Sequence, residues 1–140
     1  MPGPRFAGVE ELLADARSRL DRLDARAAAA AVRRGALLVD IRPAAQRESE
    51  REIPGAFVIE RNDLEWRLDP GSDARIAQAL PGQRWIVFCS QGYTSSLAAD
   101  ALNSIGVPAT DIVGGLTAWA AAGQPTVAGG SPAGTVTAAS

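Results

Sequence analysis

Short strand-like segments alternating with helical patterns constrain this chain more than any single residue does. Leu37 to Ile41 and Trp85 to Phe88 read as buried strands, and shorter strand segments fall at Leu20 to Leu23, Ala56 to Ile59 and Thr110 to Val113. Between them lie helical patterns. Val9, Leu12, Leu13, Ala16 and Leu20 share one face of an amphipathic helix whose opposite face is charged and solvated. Asp24 caps an alanine-rich helix from Ala25 to Arg33 that Gly35 ends, and Ser72 or Asp73 starts another that Pro81 and Gly82 stop after Leu80. Two more follow at Ser96 to Ile105 and Leu116 to Ala122. Ala44 to Glu52 is a charged stretch, Pro54-Gly55 marks a turn, and Asp63 to Leu68 carries no clear pattern. This alternation predicts a parallel sheet with helices on both faces, and sites in such sheets lie beyond the carboxyl ends of the strands.

Cys89, the single cysteine, stands at such an end. It joins the apolar run Trp85 to Phe88 to a polar loop, Ser90-Gln91-Gly92-Tyr93-Thr94-Ser95, that leads into a helix. A free cysteine more often serves as a small buried hydrophobe. A cysteine needed only for packing would, however, sit inside the apolar run. Here the free amides of a helix start, together with inward-pointing amides of the turn, make a cradle that favours thiolate over thiol.

The remaining composition narrows the chemistry. With 140 residues the chain suits one domain. A formal charge of −2 from 14 basic and 16 acidic residues, with no basic run, argues against a nucleic-acid partner. No apolar stretch approaches the ~20 residues of a membrane span. The N-terminus shows no secretory pattern, so a reducing cytoplasm is the expected setting, and a lone cysteine forms no internal disulfide. The absence of histidine counts against cysteine hydrolases, which generally need a Cys-His pair, and weakens any zinc site.

Phe88-Cys89-Ser90-Gln91-Gly92-Tyr93-Thr94-Ser95, followed by Leu102, Gly106, Gly114-Gly115, Trp119 and Gly123-Gln124-Pro125, resembles the catalytic half of a rhodanese-type sulfurtransferase domain. Upstream, Asp40-Ile41-Arg42 resembles that family's Asp-x-Arg strand end, and Glu52-Ile53-Pro54-Gly55-Ala56 its Gly-His-Ile-Pro-Gly-Ala segment. The resemblance spans roughly residues 20 to 127 in the family's order. It implies a three-layer α/β sandwich with a central, mostly parallel five-stranded sheet and helices on both faces. The expected organisation is an N-terminal helical extension over 1–19, a domain over 20–127 and a disordered tail over 128–140. That tail is small, glycine-rich and poor in bulky residues.

The same resemblance implies a double displacement through a Cys89 persulfide, with no cofactor and no metal. A small sulfane donor such as thiosulfate and an external acceptor, cyanide or a thiol, are the expected partners; a protein partner stays open. The alternative is a non-catalytic rhodanese-like binding or redox-sensing module. Phosphatases of this architecture carry an arginine after five intervening residues, where this chain has Ser95, and no arginine follows Cys89 at all. Many sulfurtransferases of the family also carry a loop arginine where Thr94 stands. Arg42, Arg61 and Arg67 are the candidates to compensate. Asp40 and Arg42 are expected as a loop-supporting pair, Gly92 as backbone geometry and Ser95 as a helix cap or a donor to the persulfide. Glu52 in place of the family histidine is expected to alter a structural contact.

Overall fold

The computed structural model describes residues 2–138. Helix α1 (Val9–Arg17) and α2 (Ala25–Arg33) precede β1 (Leu37–Asp40), α3 (Ala44–Ser49) and β2 (Phe57–Val58). A single 3-10 turn, Arg61–Asp63, leads into α4 (Leu64–Leu68), then β3 (Trp85–Phe88), α5 (Thr94–Ser104), β4 (Ala109–Asp111) and α6 (Gly115–Ala121). The strands pair in the order β2-β1-β3-β4, all parallel.

Among the described residues, four strands take the place of the five expected. The fifth position is filled by one parallel bridge, in which Leu23 N–H donates to Asp111 O at 3.1 Å and Val113 N–H to Leu23 O at 2.8 Å. Leu23 is held to a single residue of pairing because Asp24 follows at once as the cap of α2, its Oδ1 accepting from Ala27 N–H at 2.8 Å.

Alternation along the strands sorts the core into two layers. Leu38, Ile86 and Phe88 face α2 and α6 with Ala28, Ala31, Leu116 and Trp119. Val39, Trp85, Val87 and Cys89 face α4 and α5 with Leu64, Leu68, Ala98 and Leu102. The period of two in β3 therefore aims Cys89 at the layer in which α5 begins. Helix α1 lies outside α5. Arg19, just past the end of α1, bonds Asp15 at 2.7 Å and Asp100 of α5 at 2.8 Å, and these hydrogen bonds hold both carboxyls below their ordinary values.

Two expectations are corrected here. The predicted helix from Ser72 or Asp73 to Leu80 is a chain of turns. Gly71 N–H bonds Asp69 Oδ1, Ala74 N–H bonds Ser72 Oγ, and Arg67 takes both Ala74 O and Ile76 N–H, so local polar side chains and α4 satisfy the groups a helix would need. The expected disordered tail is ordered through residue 138; residues 139–140 lie outside the described residues. Val127 pairs with Glu52, and residues 134–137 run antiparallel along the outer edge of β2, with Gly134 N–H on Val58 O at 2.7 Å and Thr137 N–H on Ala56 O at 2.8 Å. Backbone pairing of this kind needs no bulky side chain and covers a sheet edge that would otherwise be open.

Glu52 anchors that tail. It is fully buried, faces Arg47 at 3.9 Å and accepts from Ser131 Oγ at 2.9 Å and Ser131 N–H at 3.2 Å. The carboxylate in the family's histidine position thus has a structural partner. Ser131→Ala removes one charge-assisted bond to a buried carboxylate and is expected to lower stability by about 1–2 kcal/mol in urea denaturation. A loss indistinguishable from zero would mean that the Ser131 hydroxyl adds nothing to the backbone bond that Glu52 accepts from the same residue.

Candidate functional site

The loop after β3 is built from both sides of its backbone. On one side, α6 begins against it: Leu116 N–H donates to Cys89 O at 2.9 Å, and Thr117 N–H and Oγ1 both donate to Ser90 O at 3.0 Å. Gly114 and Gly115 make the turn that permits this, with φ of +75° and +58°. A Cβ on Gly115 would overlap the Cys89 carbonyl. With the Cys89 and Ser90 carbonyls turned to α6, the loop places one amide on the sulfur. Gly92 N–H lies 3.3 Å from Cys89 Sγ. Among the described residues, the N–H groups of Gln91, Tyr93, Thr94 and Ser95 meet no protein acceptor. They are the free donors of the α5 start and its preceding turn, which is what an anion cradle requires.

Gly92 is the tightest point of this loop. Its φ is +86°, and a Cβ there would stand 2.9 Å from Gly114 N, 3.0 Å from Ile112 O and 3.2 Å from Arg22 Nη2. Its carbonyl accepts from two guanidinium groups, Arg17 Nη2 at 2.7 Å and Arg22 Nη2 at 2.9 Å. Both arginines are further bound to one buried carboxylate system. Arg22 Nε bonds Asp111 Oδ1 at 2.8 Å, while Arg17 Nε bonds Ser96 Oγ at 3.0 Å, and Ser96 Oγ in turn bonds Asp111 Oδ2 at 2.8 Å. Ser95 Oγ bonds the same Oδ2 at 2.8 Å. Ser95 therefore neither caps α5 through its side chain nor faces the sulfur; it supports the helix start from below.

Asp40 and Arg42 form a buried pair beside the loop. Asp40 accepts from Arg42 Nη2 at 2.7 Å, Nε at 2.9 Å and N–H at 3.1 Å. Burial pushes the Asp40 carboxyl up from its ordinary value, and the bonds from Arg42 pull against it. Arg42 continues to Arg51 O at 2.8 Å and to Glu50 Oε1 at 3.2 Å, and Glu50 Oε1 accepts from Ser90 Oγ at 2.7 Å. So Arg42 reaches the loop through Glu50, with its own guanidinium fully enclosed. Arg61 bonds Glu65, and Arg67 bonds Ala74 O; the structure brings neither to the Cys89 loop. Tyr93 is exposed, with the Arg17 guanidinium 5.7 Å from its ring centroid. Gln91 is exposed and Thr94 opens α5.

The residues missed by sequence reasoning are Arg17, Arg22, Glu50 and Asp111. Arg17 looked like part of a solvated helical face, and its contacts to the loop span 75 residues or more. A strand-end aspartate ahead of a Gly-Gly turn was the one signal available for Asp111.

The family model of the rhodanese-like domain matches residues 13–122. The chain belongs to the rhodanese-like domain family. A Rhodopseudomonas palustris protein of unknown function, called a possible tyrosine phosphatase, is 32% identical with a TM-score of 0.78, over 90% of this chain and 98% of that one. Thiosulfate sulfurtransferase from Pseudomonas aeruginosa is 28% identical with a TM-score of 0.63, over 81% of this rhodanese-like chain but only 20% of that longer one. A rhodanese-related protein of Thermoplasma volcanium shares the fold at 19% identity and a TM-score of 0.62, over 76% and 96% of the two chains. No curated protein matches this chain. No helix among the described residues is long and apolar enough to cross a membrane.

Proposed function

We propose that this rhodanese-like protein is a sulfurtransferase that carries a sulfane sulfur on Cys89. The observation that carries this reading is the Gly92 N–H on Cys89 Sγ at 3.3 Å, in a loop whose neighbouring N–H groups, at Gln91, Tyr93, Thr94 and Ser95, have no protein acceptor among the described residues. Such donors stabilise a thiolate and the terminal sulfur anion of a persulfide equally well, without a proton-carrying side chain. The Cys89 thiolate attacks the outer sulfur of thiosulfate; the S–S bond of the donor breaks and sulfite leaves with the bonding pair. An acceptor, cyanide or an external thiolate, then attacks the outer sulfur of the persulfide and restores the Cys89 thiolate. Because the chain has no second cysteine, the acceptor comes from outside. The single thiol suits a reducing compartment such as the cytoplasm.

The name given to the Rhodopseudomonas relative raises phosphatase chemistry as a second reading. That chemistry needs a guanidinium free to grip phosphate oxygens. Here the sixth residue after the cysteine is Ser95, bonded to Asp111, and the two arginines that touch the loop, Arg17 and Arg22, are engaged with the Gly92 carbonyl, Ser96 and Asp111. The geometry favours sulfur over phosphate.

Intact-mass measurement after incubation with thiosulfate tests the proposal. A mass gain of one sulfur that a reductant removes is the expected result, with p-nitrophenyl phosphate left unhydrolysed by the same sample. Failure of folded, reduced protein to take up sulfur from any sulfane donor would sink the transfer reading and leave the binding-module alternative.

A further inference from the structure

The Cys89 loop carries no charged residue between positions 89 and 95, yet two guanidinium groups converge on its back. We propose that Arg17 and Arg22 are the positioning residues of the sulfur site, replacing from behind the positive charge that the loop itself lacks. The inference rests on the sulfurtransferase reading for its purpose, but its geometry stands independently.

The contacts form a closed ring. Gly92 O accepts from Arg17 and Arg22; Arg17 holds Ser96, Ser96 holds Asp111, and Asp111 holds Arg22. A peptide unit has its C=O and N–H on opposite sides. Clamping the Gly92 carbonyl away from the cradle therefore turns the Tyr93 N–H, which belongs to the same peptide unit, in the opposite direction. Two charged donors on one carbonyl also polarise that unit and strengthen its N–H as a donor. Gly92 N–H, in the preceding peptide unit, is the group already on the sulfur. The ring contains two guanidinium cations and one carboxylate, so one net positive charge stays behind the loop. Arg17 supplies it, since Arg22 is neutralised by its two bonds to Asp111 while Arg17 has no carboxylate partner among the described residues.

Positioning and charge are separable by alkylating Cys89 with two reagents of similar size, neutral iodoacetamide and anionic iodoacetate. A positive charge behind the sulfur favours the anion selectively, whereas a merely displaced loop slows both. Arg17→Gln is expected to reduce the iodoacetate-to-iodoacetamide rate ratio about threefold. Arg17→Lys, which keeps the charge, is expected to restore the ratio even though it loses the bond to Ser96. Arg22→Lys serves as the second variant: it keeps the charge but breaks the fork with Asp111, so it is expected to slow both reagents with the ratio held. An unchanged ratio in folded Arg17→Gln, or no recovery in Arg17→Lys, overturns the proposal. Neither reagent involves sulfur transfer. Wild-type protein that shows the charge effect but forms no persulfide would thus defeat the sulfurtransferase reading and leave the arginine assignment standing.

Discussion

Cys89→Ser is expected to abolish persulfide formation and lower thiosulfate:cyanide sulfurtransfer by at least ~10³-fold, with the fold unchanged. The fold survives because Cys89 contributes little that serine cannot. Its side chain is small, lies at the edge of the α4/α5 layer and receives one backbone N–H, a contact that a hydroxyl also accepts. The chemistry does not survive because a hydroxyl is almost wholly protonated at neutral pH and forms no stable bond to a sulfane sulfur. Thermal unfolding and steady-state assay of the same preparation check both halves. Retained activity in this variant would mean that Cys89 is not the sulfur carrier, and with no other cysteine in the chain the persulfide mechanism would fall entirely.

Asp111→Ala is expected to cost about 3–5 kcal/mol of stability, the range for removing one partner of a buried ion pair. Asp111 is fully buried and accepts from Arg22 Nε and Nη2 and from the hydroxyls of Ser95 and Ser96. Alanine would leave the partly buried Arg22 cation uncompensated and two buried hydroxyls short of their acceptor. The loss is a large share of the 5–15 kcal/mol typical of a whole domain. Asp111→Asn keeps the size and one acceptor oxygen, so it is expected to fall between wild type and alanine. Urea denaturation of the three proteins gives the order directly. An alanine variant within about 1 kcal/mol of wild type would show that the ring around Gly92 holds little of the fold's stability.

What the sequence disclosed follows from the range over which its signals act. The Asp24 cap, the buried runs of β1 and β3 and the position of Cys89 between strand and helix depend on neighbours in sequence, and these patterns are legible in one dimension. The Gly114-Gly115 turn was legible for the same reason. Arg17 and Arg22 were not, because each looks like an ordinary surface charge until the fold closes 70 or more residues of chain against it. Arg42 carried a motif and proved to be enclosed; Arg61 lay beyond a strand end and turned to Glu65 instead. The tail misled in another way. Its composition speaks of side-chain burial, but residues 134–137 are held by backbone bonds to Gly55, Ala56 and Val58, and Ser131 by a carboxylate 79 residues earlier. The turns at 71–80 show the converse, where caps and stops bounded a segment whose backbone found other partners.

The dependence of the loop on Arg17 changes where this unit can be cut and joined. A segment beginning at Leu20 would retain all four strands and every residue from Cys89 to Ser95, and would pass for a whole module by its motifs. Yet of its two guanidinium donors the Gly92 carbonyl would keep Arg22 alone, and the outer face of α5 would lose the helix that covers it. When such segments are exchanged between relatives, the inheritance that matters is the pairing of a first helix with a loop some 75 residues later. Chimaeras that take both from one parent should carry its reactivity, and those that mix parents at this seam should not.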